Sequence, residues 1–144
     1  MSKSGNWYKD TALICSGITR SENIKHHPTA SSLFFPGERS SSQYELASRQ
    51  MSVSSTLIAF EVKGGRTGAF QFLNALRLKD ISNNLGASKS LACHLSSTIH
   101  MNPSKDERQI LDMNKGHIRL SVGLEYVADL TADKQQALYG CRGN

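Results

Sequence analysis

Arg119 stands in GHIRLSVGLE, residues 116–125, with a serine and a glycine as its alternate neighbours. Taken two at a time, the stretch separates Ile118, Leu120, Val122 and Leu124 from Arg119, Ser121 and Gly123. That period is the side-chain alternation of a strand, so the apolar set is expected on a buried face and Arg119 on the opposite one, beside open space. A guanidinium stays charged in a protein and presents a rigid fork of donors, which suits bidentate capture of a carboxylate. The plain alternative is an arginine on the solvated face of an edge strand.

Other chemically able residues fit ordinary structure better. His94 and His100, with Ser96, Ser97 and Thr98 between them, suggest metal ligands or a base beside a nucleophile. Their spacing shares no helix face, no cysteine or carboxylate stands at ligand spacing, and no third group orients a base, so no metal or catalytic residue is assigned. GGRTGAF has the wrong glycine spacing for a phosphate loop and lacks the lysine followed by a hydroxyl residue, so a strand-ending turn explains it. KDER, residues 105–108, carries acids suited to a helix start, and His26 and His27 before Pro28 read as solvated loop.

A chain of 144 residues with 38% hydrophobic content can bury one sizeable core. The net charge of +5 is not concentrated in a block of like charges, which argues against nucleic-acid binding. Three widely spaced cysteines, Cys15, Cys93 and Cys141, fit reduced thiols and a cytoplasmic location. No apolar run is long enough for a membrane span, and MSKSGNWYKD offers none for a signal peptide.

The elements that must position Arg119 can be read from pattern. PGERSSSQ, residues 36–43, is the expected internal joint, preceded by the weakly apolar TALICSGITR and the exposed-looking pair Phe34–Phe35. YELASRQM reads as a short helix, and STLIAFEV as a strand with Ile58, Phe60 and Val62 alternating until Gly64–Gly65 stop it. Ala69, Phe70, Phe72, Leu73 and Leu76 then recur at helical spacing, forming a stripe that must pack on the preceding strand.

ISNN and SLACH read as short strands and HLSSTIHMN as a polar loop. In PSKDERQILDM, Asn102 or Ser104 can cap a helix that Pro103 helps to start. YVADLTADKQQAL gives a last helix with Val127, Leu130, Lys134, Ala137 and Leu138 along a narrow stripe, ended by Gly140. The predicted class is α/β, an α+β small domain with helices packed on one face of a small sheet.

Taken in order, NNLGASKSLACHLSSTIH and NPSKDERQILDMNKGHIRLSVGLEYVADLTADKQQAL resemble the end of the pyridoxal-phosphate enzymes of transsulfuration. That family includes the cystathionine synthases and lyases, methionine gamma-lyase and the homoserine-ester sulfhydrylases. The likeness extends back through QYELASRQM and STLIAFEVKGGRTGAFQFLNALRL, covers about residues 43 to 138, and looks most like O-succinylhomoserine sulfhydrylase. It implies that residues 43–144 are the C-terminal small domain of a fold-type I pyridoxal-phosphate-dependent transferase. It also implies that Arg119 grips the substrate's α-carboxylate, and that the turn at Asn84 and Leu85 lines the same pocket. Serine is common in the family at Asn84, and Leu95 replaces a usual proline. His94 and His100 become framework residues.

Residues 1–42 are similar to the family's N-terminal arm plus a junction, with a Thr-Ser-Ser-Phe-like segment around Ala30 to Phe34. In the family a large cofactor-binding domain separates arm from C-terminal domain, where this chain has PGERSSS. The Tyr-x-Arg motif for the cofactor phosphate is missing, and no lysine stands in the Ser-x-Thr-Lys context of the Schiff-base lysine. Without it pyridoxal phosphate has no covalent link and the electron sink is lost. The expectation is therefore an internally deleted relative, inactive alone, with no cofactor-binding residues of its own and half a pocket for a homoserine ester. The alternative is a non-catalytic binding or regulatory subunit, a homo- or hetero-oligomer pairing with an intact homologue through surface left bare.

Overall fold

The computed structural model describes residues 24, 27–85, 87–98 and 115–141. The TALICSGITR stretch, Cys15, His26, His100 and the helix expected in PSKDERQILDM lie outside the described residues.

Five strands form one sheet, β1 (Ala30–Phe34), β2 (Leu57–Val62), β3 (Asp80–Ile81), β4 (Leu91–His94) and β5 (His117–Ser121), in the spatial order β1-β2-β5-β4-β3. All neighbours are antiparallel except β3 and β4, which run parallel. The helices are α1 (Tyr44–Gln50), α2 (Gly65–Ala75), the single turn α3 (Leu95–Thr98) and α4 (Val127–Gly140). The segment before the joint therefore contributes an edge strand, β1, to the same sheet, with Phe35 buried and Phe34 exposed.

Register explains the core. Ile58 stands opposite Leu120 and Phe60 opposite Ile118, and all four are completely or almost completely buried. Phe60 meets Phe72 of α2 edge-on at 5.3 Å, which fixes this as the helix-covered face. Ala69, Phe72 and Leu73 of α2 and Leu130, Ala137 and Leu138 of α4 close the core, as the sequence periodicities require. Phe70 departs from its expected stripe: it lies nearer the surface, under the Arg66 guanidinium at 5.5 Å and against the His94 ring at 5.2 Å. Gly64 and Gly65, at φ of 89° and 60°, make the left-handed turn that ends β2 and starts α2, where a side chain would be strained.

α4 also buries two charged residues, Asp133 and Lys134. Asp133 accepts the backbone N–H of Arg77 at 2.8 Å and of Leu78 at 3.1 Å, and lies 3.5 Å from the Lys79 ammonium. Gln136 bridges Asp133 to the carbonyl of Ala75. Burial by itself would raise the Asp133 pKa, but the two backbone donors, Lys79 and Gln136 outweigh it and hold the carboxyl below its ordinary value. The turn leaving α2 is thus pinned to α4. No helix among the described residues is long and apolar enough to cross a membrane.

Candidate functional site

Arg119 lies mid-strand in β5, opposite Ala59 of β2 and Cys93 of β4, on the face away from α2 and α4. That matches the alternation in the sequence, but β5 ends at Ser121 and Leu124 is about half exposed, outside the buried set expected of it. Val122 N–H still follows the β2 register, to the Thr56 carbonyl, and the chain turns off after it, where Gly123 N–H goes to the Ser90 hydroxyl and Leu124 N–H to the Ser88 carbonyl. The small neighbours of Arg119 do not leave the expected open space either. Ser121 is buried, and a Cβ on Gly123 would come within 2.4 Å of the Ser88 carbonyl oxygen, so glycine is needed there for backbone approach.

The opening lies instead toward the connection after β3. Arg119 Nη2 donates to the Asn83 carbonyl at 2.8 Å and more weakly to that of Asn84 at 3.4 Å, in solvent-exposed contacts. Arg119 and Asn84, separated by 35 residues, are therefore brought together, with Asn84 contributing its main chain. These are the hydrogen bonds found for this guanidinium among the described residues, so Nε and Nη1 keep donors available to an incoming anion.

The His94 loop serves another purpose. His94 is buried, and its Nε2 lies 2.7 Å from the Lys115 carbonyl, which can only accept, so this nitrogen carries the proton. Nδ1 is hydrogen-bonded to the Ser97 hydroxyl at 2.7 Å. Thr98 Oγ1 donates to the His94 carbonyl at 2.8 Å, and these bonds curl the expected loop into α3. The imidazole thus joins the end of β4 to the approach to β5, which is a framework role.

Three groups escaped the sequence reading. Asn83 supplies the nearer carbonyl to Arg119, Glu125 holds Ser90 through both carboxylate oxygens, and the Lys79–Asp133 pair is buried under α4. Of the two charged residues buried in α4, the stripe read from the sequence had included Lys134 and had left out Asp133. Among the described residues no group of three His, Cys, Asp or Glu is arranged to hold a metal ion. A separate cavity of about 270 Å³ lies between Pro36–Gly37 and α1, lined partly by Tyr44 and Ser48, and joins no acid to a base.

The comparisons with known proteins bear on this geometry. Residues 16–139 match the family described as Cys/Met metabolism PLP-dependent enzyme. The chain belongs to that family. It is 43% identical over 115 residues to the L-methionine gamma-lyase of Pseudomonas deceptionensis, covering 80% of this chain and 29% of that protein. It is 35% identical over 127 residues to the O-succinylhomoserine sulfhydrylase of Pseudomonas aeruginosa, covering 88% of this chain and 32% of the relative. This Cys/Met-family chain thus spans about a third of the length of the curated relatives it matches.

Among solved structures, cystathionine gamma synthase of Xanthomonas oryzae pv. oryzae, in complex with aminoacrylate and cysteine, superposes with a TM-score of 0.86 at 25% identity. The match takes in 93% of this chain and 34% of that one. The likeness places the α/β small domain in the pyridoxal-phosphate-dependent fold, and the resemblance read from the sequence holds at the level of the family.

The family's cofactor requires a lysine, and the described lysines do not fit that need. Lys79 is buried in its pair with Asp133, Lys134 is buried in α4, and Lys89 is paired with Asp80 at the surface at 2.8 Å. Lys63 and Lys115 are exposed beside the Gly64–Gly65 turn and the start of β5. None stands in the Ser-x-Thr-Lys context, so no chemical step is derived through pyridoxal phosphate for these residues.

Proposed function

We propose that this chain is an internally shortened relative of O-succinylhomoserine sulfhydrylase that keeps the carboxylate grip of a substrate pocket and performs no catalysis alone. An arm and junction, residues 1–42, join directly to the small domain, residues 43–144. The parent reaction is pyridoxal-phosphate-dependent replacement at the γ-carbon of an activated homoserine, yielding homocysteine in cytoplasmic amino-acid metabolism. The observation that supports the grip is the half-used guanidinium of Arg119, oriented by the Asn83 and Asn84 carbonyls with donors to spare. Arg119 would hold the α-carboxylate of the homoserine ester, and the turn at Asn84 would form one wall.

Lack of a fitting lysine supports the inactive state. Purified protein mixed with pyridoxal phosphate and O-succinyl-L-homoserine should show neither the visible absorption of a lysine-bound cofactor nor release of succinate. Either signal would overturn the inactivity.

A second reading is a non-catalytic subunit that pairs with an intact homologue. It is favoured by Ile81, Leu85, Leu124 and Tyr126, large apolar residues that are all about half exposed or more on segments next to the Arg119 turn. Size-exclusion chromatography with and without a full-length homologue separates the two readings, because co-elution supports the subunit and an indifferent monomer opposes it.

A further inference from the structure

Glu125 makes no hydrogen bond or ion pair with Arg119, yet hydrogen bonds and the short stretches of main chain between them join the two. Its Oε1 accepts the Ser90 N–H at 2.6 Å and its Oε2 accepts the Ser90 hydroxyl at 2.8 Å. The same hydroxyl oxygen accepts the Gly123 N–H at 2.8 Å, so one serine ties the exit of β5 to the entry of β4. The Ser90 carbonyl accepts the Asp80 N–H at 3.2 Å, and the Ala92 carbonyl accepts that of Ser82 at 3.0 Å. The Ser82 hydroxyl then accepts the Asn84 N–H at 3.2 Å, which brings the run to the turn whose carbonyls hold Arg119.

β3 is two residues long and exposed at both, so packing does little to fix it. Its height beside β4 follows from where Ser90 is held. A charge-assisted contact on both donors of one residue is a strong and directional way to hold it.

We infer that Glu125 is a positioning residue for the Arg119 site: by fixing Ser90 it sets where the Asn83–Asn84 turn meets the guanidinium. The inference rests on reading Arg119 as a carboxylate grip, and its test separates the two ideas. The full 144-residue chain, labelled with ¹⁵N, gives an Arg119 Nε–Hε resonance without ligand and an affinity for O-succinyl-L-homoserine with it.

Glu125→Gln keeps the side-chain shape but has one acceptor oxygen where two are used. It should fold, shift the Arg119 resonance in the free protein and weaken ligand binding about tenfold, the size expected for one lost charge-assisted bond. Adding Ser90→Ala should weaken binding no further, since both changes break one contact. An unchanged resonance in folded Glu125→Gln overturns the positioning role whether or not ligand binds. A wild-type chain that binds no ligand overturns the carboxylate grip, while the free-protein resonance still decides Glu125. Should Glu125→Gln fail to fold, Glu125→Asp keeps the charge, loses the reach, and is read by the same resonance.

Discussion

Asp133 and Arg119 each hold a backbone turn, with opposite charge and from opposite sides of the sheet. Asp133 accepts two consecutive N–H groups, of Arg77 and Leu78, where the chain leaves α2. Arg119 donates to two consecutive carbonyls, of Asn83 and Asn84, where the chain leaves β3. The first turn is sealed: the carboxylate is buried, with Lys79 and Gln136 completing its shell. The second is open to water, and among the described residues much of the guanidinium's donor capacity is unused. A buried charge whose hydrogen-bonding capacity is filled has nothing left to offer a ligand, whereas a charge that reaches solvent with donors left over can still take one. The difference in burial, more than in residue type, separates the structural charge from the one proposed to bind a ligand.

The largest expected effect tests the sealed side. Asp133→Ala leaves the buried Lys79 ammonium without its carboxylate and two N–H groups without acceptors, so it should cost about 3–5 kcal/mol in chemical denaturation. A loss under about 1 kcal/mol would mean that the network contributes little and the contrast fails.

Acid should expose the same network. The Asp133 carboxyl is held below its ordinary value of 3.8, so the unfolded chain binds its proton first as pH falls. Stability from this group is therefore complete above that value and is lost as pH drops through the lower folded-state value. Unfolding free energy measured from pH 5 downward should fall less steeply in Asp133→Asn than in wild type, and equal slopes would remove Asp133 as the cause.

On the open side the order reverses, with binding affected more than folding. Arg119→Ala should change unfolding free energy by no more than about 0.5 kcal/mol, because water can replace its contacts with the exposed carbonyls. Ligand affinity should fall about tenfold to a hundredfold, as expected for losing hydrogen bonds to a charged group. A large loss of folding would make this arginine structural.

Smallest of all should be Asn84→Ala. The contact to Arg119 comes from the main chain of Asn84, so removing its amide should alter affinity less than about twofold by calorimetry. A loss matching that of Arg119→Ala would assign the amide itself to the pocket.

These expectations also mark what a sequence can carry. β2, α2 and α4 were legible because their faces are apolar at periods of two and 3.6, and Ile58, Phe60 and Phe72 fill the core accordingly. The projection of Arg119 followed from the same alternation, while its role required the resemblance of ordered motifs. Its actual partners were not legible, since every residue has a carbonyl and nothing in Asn83 or Asn84 marks theirs for use. Glu125 and Ser90 are 35 positions apart and Lys79 and Asp133 are 54 apart, so no local period joins either pair. Leu124 misled because alternation continues in the sequence after the Gly123 approach has turned the backbone away.

We propose Arg119 as a carboxylate grip kept in a chain whose lysines all lack the Ser-x-Thr-Lys context. It is tested most directly by titrating O-succinyl-L-homoserine into the ¹⁵N-labelled chain and into Arg119→Ala, with no pyridoxal phosphate present. A saturable shift of the Arg119 Nε–Hε resonance is expected in wild type, with loss of binding in the folded variant. A silent Arg119 resonance, or equal affinity in Arg119→Ala, would contradict it.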